Sequence, residues 1–307
     1  MKKSTLAAII LLLTILGMGV IYVVFNNDIA LLQPAGEVGQ QQSDLLIFCL
    51  ALSLIIIIPV FTLTLFIAIR YREGNDKATY APNWAHSKLL ETIWWGIPII
   101  LIAFLGVIIW QSSHTLDPKK ALESDQPPLK VQVVALQWRW LFIYPDQGIA
   151  TVNTLEIPTN RTIEFKIAAD GPMSSFWIPK LGGQIYAMPG MITTLHLNAT
   201  KAGDYTGKNT NISGEGYSDM VFSVKARSPQ EFENWTKNSV DSDKNVLSLD
   251  VYNQLSKPKR DKSQLLFNDV ENELFNEIVN KYMVPEETNN KGMKMSATNK
   301  PIDSGAY

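Results

Sequence analysis

Three apolar runs without a single charge, residues 5–25, 45–69 and 92–110, dominate the first third of the chain. Each reaches the ~18 residues at which a membrane-spanning helix becomes the default reading. Lys2 and Lys3 precede the first run, no Lys or Arg lies in 26–44, and Arg70, Arg72, Lys77 and Lys88 crowd the second loop. Basic residues are retained inside, so the N-terminus and the second loop are expected inside and everything after Trp110 outside. The first run also fits a signal peptide; its length favours an uncleaved anchor.

Beyond a polar link closed by Pro127 and Pro128, the pattern switches to alternation. "LKVQVVALQWRWLFIYP", "GIATVNTLEIP", "RTIEFKIAA", "SSFWIP", "ITTLHLNA" and "MVFSVKA" are rich in β-branched and aromatic residues and are punctuated by Gly, Pro, Asn and Asp. Short strands at such spacing predict an all-β sandwich or barrel over about 129–226. Helical signals then return. Ser228, Pro229 and Glu231 form a capping-box start, and Leu266, Val270, Leu274, Ile278 and Tyr282 recur every four residues as a helical stripe. The polar end is expected to be disordered. The organisation is therefore a signal or anchor segment (1–28), a transmembrane helical hairpin (29–115), an all-β domain (116–227), an aromatic-rich helical segment (228–285) and a tail (286–307).

Composition narrows the chemistry. The chain has 307 residues, three histidines and one cysteine, with a net charge of -2. Cys49 lies in an apolar run, so no intrachain disulfide and no N-terminal lipid attached through cysteine are expected. None of the apolar runs contains histidine, the usual haem ligand, and His86, His114 and His196 are scattered. Ser218 lies in "GEGYSD", which is not a nucleophile elbow. No phosphate-cradling loop and no basic patch for nucleic acid is present. The stretch "YTGKNTNISGEGYSDM", residues 205–220, has the glycines of a binding loop but only Met220 as a soft-metal ligand. Glu91, at the inner end of the third run, reads either as a carboxylate favoured by a helix N-terminus or as the mouth of a proton path into the membrane.

The segments "YAPNWAHSKLLETIWWGIPIIL", "LQWRWLFIYP" and "SSFWIPKLGGQIYAMPGM", in this order over about residues 32–283, resemble subunit II of the haem-copper terminal oxidases. That resemblance implies a membrane hairpin followed by an outward-facing cupredoxin-like sandwich. In copper-bearing members the sandwich holds a dinuclear copper centre. The matching positions here are Ser174 and Asn209, Asn211, Ser213, Tyr217 and Met220. Only the methionine is kept, so the resemblance points to the quinol oxidase branch, and "FIYPDQGIATVN" and "LLFNDV...LFNEIVNKYM" look most like the cytochrome bo-type ubiquinol oxidases. It matches Glu91 to a glutamate near a proton-channel entrance, and Trp138 and Trp140 to an aromatic patch that receives electrons where copper is present.

The resemblance thus implies a non-haem subunit of a proton-pumping oxidase that converts ubiquinol and oxygen to ubiquinone and water. No cofactor is expected in this chain. Haems and copper would belong to partner subunit I, beside small membrane subunits, the lipid and the quinone pool. The place implied is a bacterial inner membrane, with the large domain on the periplasmic side. A membrane-anchored cupredoxin-like binding or assembly protein, and a cytochrome c oxidase subunit, are the alternatives.

Overall fold

The computed structural model describes residues 29–283 except 73, 76, 77, 80–82, 125 and 243, together with 15, 17–19, 22 and 26. The 1–28 segment lies almost wholly outside the described residues, and the 286–307 tail entirely so. The second and third apolar runs are helices longer than the runs themselves: α1, Glu37–Arg70, and α2, Lys88–Thr115. At 1.5 Å per residue α1 is about 51 Å long, well beyond the ~30 Å of a bilayer core. Its apolar stretch and that of α2 are exposed along their length, as lipid-facing or partner-facing helices must be. Within α1 the hydroxyls of Ser53, Thr62 and Thr64 donate to carbonyls one turn back, leaving no hydroxyl proton unpaired in an apolar surrounding.

The surplus length of α1 is its first two turns, and these dock on the β domain. Gly36 caps the helix but has no side chain to satisfy the first amides. Asn198 does so from another element: its Oδ1 accepts from Glu37 N at 2.9 Å, and its Nδ2 donates to Glu37 Oε2 at 3.1 Å. Gly39 N donates to Leu181 O at 2.9 Å, and Ala35 is bonded through both its amide and its carbonyl. The approach is so close that a Cβ on Gly39 would meet Lys180 O at 2.9 Å. Gly182, at φ +92°, faces the Gly39 backbone in the same way.

The β domain is a sandwich of two mixed sheets. One has the order β12-β3-β2-β1-β5-β8 and the other β4-β10-β9-β6-β7. The strands of the first are β1 Leu129–Ala135, β2 Trp140–Tyr144, β3 Ile149–Val152, β5 Thr162–Ala169, β8 Thr193–Asn198 and β12 Leu265–Phe267. Those of the second are β4 Thr154–Pro158, β6 Ser174–Ile178, β7 Gly182–Ala187, β9 Gly203–Asn209 and β10 Val221–Arg227. Between the sheets Trp140, Phe142, Phe165, Phe176 and Phe222 make a continuous ring cluster, with Phe176 and Phe222 stacked at 5.3 Å. Two of the stretches that carry the strand pattern are broken by corners. "LKVQVVALQWRWLFIYP" turns at Trp138, whose φ is +71°, and "GIATVNTLEIP" changes sheet at Asn153, φ +57°. Asn153 stabilises that corner by accepting from Trp140 N at 3.0 Å.

The C-terminal segment supplies α3 Pro229–Val240, β11 Val246–Leu247, α4 Leu249–Leu255, β13 Asp269–Val270 and α5 Leu274–Asn280. The capping box of α3 is present as read: Ser228 Oγ accepts from Glu231 N, and Glu231 Oε2 accepts from Ser228 N at 2.9 Å. The four-residue stripe is not one helix. Leu266 and Val270 lie in strands, with β12 pairing onto the edge of β3, and Tyr282 follows the end of α5. Ladder bonds at an open sheet edge outweigh the helical spacing, and Glu273 at φ +63° starts α5 only afterwards. Tyr252, Leu255, Phe267, Phe275 and Ile278 cover the outer face of the first sheet, so β2 is buried on both faces.

Asp170 pins this cover. It is 6% exposed and accepts from Lys281 Nζ at 2.8 Å and from the hydroxyls of Tyr252 and Tyr282. Burial alone would raise its carboxyl, but those three donors outweigh it and hold it below the usual range. The same contact and burial push Tyr282 up to about 12. A depressed folded-state pKa gives stability that is complete above the ordinary carboxylate value of about 3.9 and is lost as pH falls through the lower, folded value. Proteolysis of the 240–283 segment is therefore expected to accelerate below about pH 4. Asp170→Asn should show that sensitivity at neutral pH and lose about 2–3 kcal/mol. Gly39→Val should weaken the docking of α1 and lower the unfolding temperature of the full-length chain by several degrees.

Candidate functional site: a filled loop on the β domain

The loop-like stretch 205–220 is only partly a loop, because residues 205–209 complete β9. The remainder, 210–220, closes through a 3-10 turn at Tyr217–Asp219 and rejoins β10. Strand pairing sets Asn209, at the end of β9, opposite Phe176, two residues along β6 from Ser174 at its start. The loop then returns Ser213 and Met220 to the same place. All four are at least nine-tenths buried.

Asn209 organises the interior. Its Oδ1 accepts from Ser175 N at 2.8 Å and Asn211 N at 3.0 Å. Its Nδ2 donates to Ser213 Oγ at 3.0 Å and lies 3.4 Å from Met220 Sδ. The two acceptor sites and two donor hydrogens of the amide are thus all engaged. Ser174 Oγ lies 4.0 Å from the same sulfur and donates to Pro172 O at 3.3 Å. Asn211 turns away and donates to Met173 O at 2.8 Å. Tyr217 holds the turn through its backbone, with its amide on Gly214 O and its carbonyl receiving Met220 N.

Trp138 closes the loop from outside the sandwich. Its Nε1 donates to Ser213 O at 3.2 Å, and Arg260 lies over its ring at 5.5 Å while pairing with Glu215 at 2.9 Å. The glycines make room for rings. A Cβ on Gly216 would sit 2.4 Å from the Trp138 indole, and one on Gly207 would enter the Phe222 ring. The guest of the loop is therefore an indole. Gly214 and Gly216, flanking one residue, were the signal in the sequence, but the ring that they admit is some 75 positions away. Trp140 is separated from Trp138: it is wholly buried, with Nε1 3.4 Å from Met220 O.

Glu91 is remote from this loop, in the first turn of α2. Its Oε1 accepts from Ser87 N at 3.3 Å and lies 3.4 Å from His86 Nδ1, while Ser87 Oγ accepts from Leu90 N. Its side chain is half exposed. His114 bonds Trp110 O one turn back, and His196 is in β8, so the three histidines are not brought together. Among the described residues no three His, Cys, Asp or Glu side chains gather as a metal would require.

Comparison with known proteins follows the same layout. A family model described as cytochrome c oxidase subunit II, periplasmic domain, matches residues 147–227, and one described as COX aromatic rich motif matches 242–286. Ubiquinol oxidase subunit 2 of Acetobacter aceti is 45% identical over 270 residues, 87% of this chain and 85% of that protein. Cytochrome bo(3) ubiquinol oxidase subunit 2 of Pseudomonas aeruginosa is 44% identical over 255 residues, 83% and 77% of the two chains. Quinol oxidase subunit 2 of Bacillus cereus is 38% identical over 234 residues, 76% and 80%.

The chain belongs to the quinol oxidase subunit 2 family. It is a membrane-anchored subunit of an oxidoreductase complex, with a cupredoxin-like sandwich. The first family model spans β3 to β10 and so includes the filled loop; the second spans the segment pinned by Asp170. In this quinol oxidase subunit, Trp138→Ala should empty the space over the loop and cost about 3 kcal/mol, the low end for losing a large ring because Trp138 is only partly buried. Thermal unfolding of the full-length chain checks this, and an unchanged midpoint would mean that the indole does not support the loop.

Proposed function

We propose that the chain is subunit II of a proton-pumping ubiquinol oxidase of the bacterial aerobic respiratory chain. Its hairpin (29–115) lies in the inner membrane, its cupredoxin-like domain (116–227) in the periplasm, and the 228–285 segment covers that domain. Haems and copper reside in partner subunit I, which oxidises ubiquinol and reduces oxygen. The observation that carries the reading is the Asn209 network. Copper of the dinuclear type needs bridging thiolates and imidazoles. The interior of this loop offers instead an amide whose hydrogen-bonding capacity is used, two hydroxyls and one thioether. The residues do not fit the metal, so electrons enter the complex through another subunit. The relatives named ubiquinol oxidase subunit 2 support the same substrate.

Glu91 is assigned to proton entry. A half-exposed carboxylate in the first turn of α2, at the start of a membrane helix, can exchange protons with water. Glu91→Gln retains shape and a hydrogen-bond acceptor but cannot carry the proton. Quinol-driven oxygen consumption by the purified complex should fall severalfold in this variant at unchanged haem content. An undiminished rate removes Glu91 from the proton path. The subunit assignment itself requires the chain to co-purify with a haem-bearing membrane subunit and quinol oxidase activity; purification without either contradicts it.

A further inference from the structure

Arg139, in the turn between β1 and β2, is only 4% exposed. One terminal nitrogen donates to the carbonyls of Leu255 and Lys257, the latter at 3.1 Å, at the C-terminal end of α4. Its Nε–H is buried and has no acceptor among the described residues. Asp261 supports the charge only at a distance, since its carboxylate is engaged by Lys259 at 2.9 Å and by Ser263 N at 2.9 Å. Desolvation lowers the pKa of the guanidinium more than Asp261 restores it. Buried charges are ordinarily paired, because an unpaired one forfeits its hydration without return.

The same side chain lines a groove of about 410 Å³ between α4 and β12. Lys257 and Lys259 line it too, and Leu255, Leu265 and Phe267 supply apolar wall. We propose that this groove binds an oxyanion, a carboxylate or phosphate group, held by the exposed Lys257 ammonium and by the charge of the Arg139 guanidinium that lines the groove. An incoming anion supplies the counter-charge that the described residues place only at a distance, in Asp261. The apolar wall accommodates a group that carries hydrocarbon, and the groove lies at the end of the sandwich away from Asn198, where α1 docks, so the anion comes from solution. This site borders the Trp138 side of the filled loop, through Arg139 and Lys259, lies apart from Glu91, and stands whether or not the proton-entry assignment holds.

The test uses the full-length chain in its complex, in phosphatidylcholine nanodiscs, with radiolabelled inorganic phosphate in equilibrium dialysis. Wild type should show one saturable site on this chain, weakened about fivefold or more in Lys257→Glu, which alters only an exposed side chain. Arg139→Gln should abolish binding; if it fails to assemble, Lys257→Glu decides alone. Equal binding in wild type and Lys257→Glu, or no saturable binding, overturns the proposal.

Discussion

One buried amide sets the character of the β domain. Asn209 spends its whole hydrogen-bonding capacity on β6, on the first residues of the loop and on Ser213 and Met220 behind it. A buried polar group left unpaired costs about 1–3 kcal/mol, so the loop has to keep these partners in place. Ser213 O is then presented to the Trp138 indole, and the indole in turn requires glycine at 216. Hydrogen bonds and an aromatic ring thus hold the loop in shape from within.

The domain is tied to its surroundings at two further places, each by partners that neighbouring elements supply. At the membrane side, α1 begins on a glycine and receives its cap from Asn198 and its close packing from Gly182. The helix that enters the membrane therefore starts as part of the sandwich, which transmits the orientation of one to the other. At the opposite face, Asp170 holds the C-terminal cover through Lys281 and two tyrosines. Both joints are polar contacts surrounded by apolar packing, so each specifies one geometry rather than merely adding burial.

Local signals were the most legible in the sequence. The apolar runs at 45–69 and 92–110 and the Ser228 capping box are determined within a few residues, and the structure keeps them. The sandwich was legible from alternation, but its corners were not. Trp138 and Asn153 adopt positive φ in the middle of stretches whose alternation gives no sign of a corner, and the bonds that favour this come from elsewhere in the fold. The stripe from Leu266 to Tyr282 misled because an open edge at β3 was available to capture its first part. In the candidate site, the positions Ser174, Asn209, Ser213 and Met220 were named through family resemblance and do converge, whereas Asn211 and Tyr217 serve the backbone of the loop. Arg139 and Asp170 escaped notice because a charged residue gives no sign in sequence that it will be buried.

The central claim is that electrons bypass this subunit because its loop is filled with its own side chains. Metal analysis and electron paramagnetic resonance of the purified, active complex test it most directly. The account predicts copper only at the level owed to the haem-bearing subunit and no signal of a mixed-valence dinuclear centre. Two additional coppers per complex, with such a signal, would contradict it.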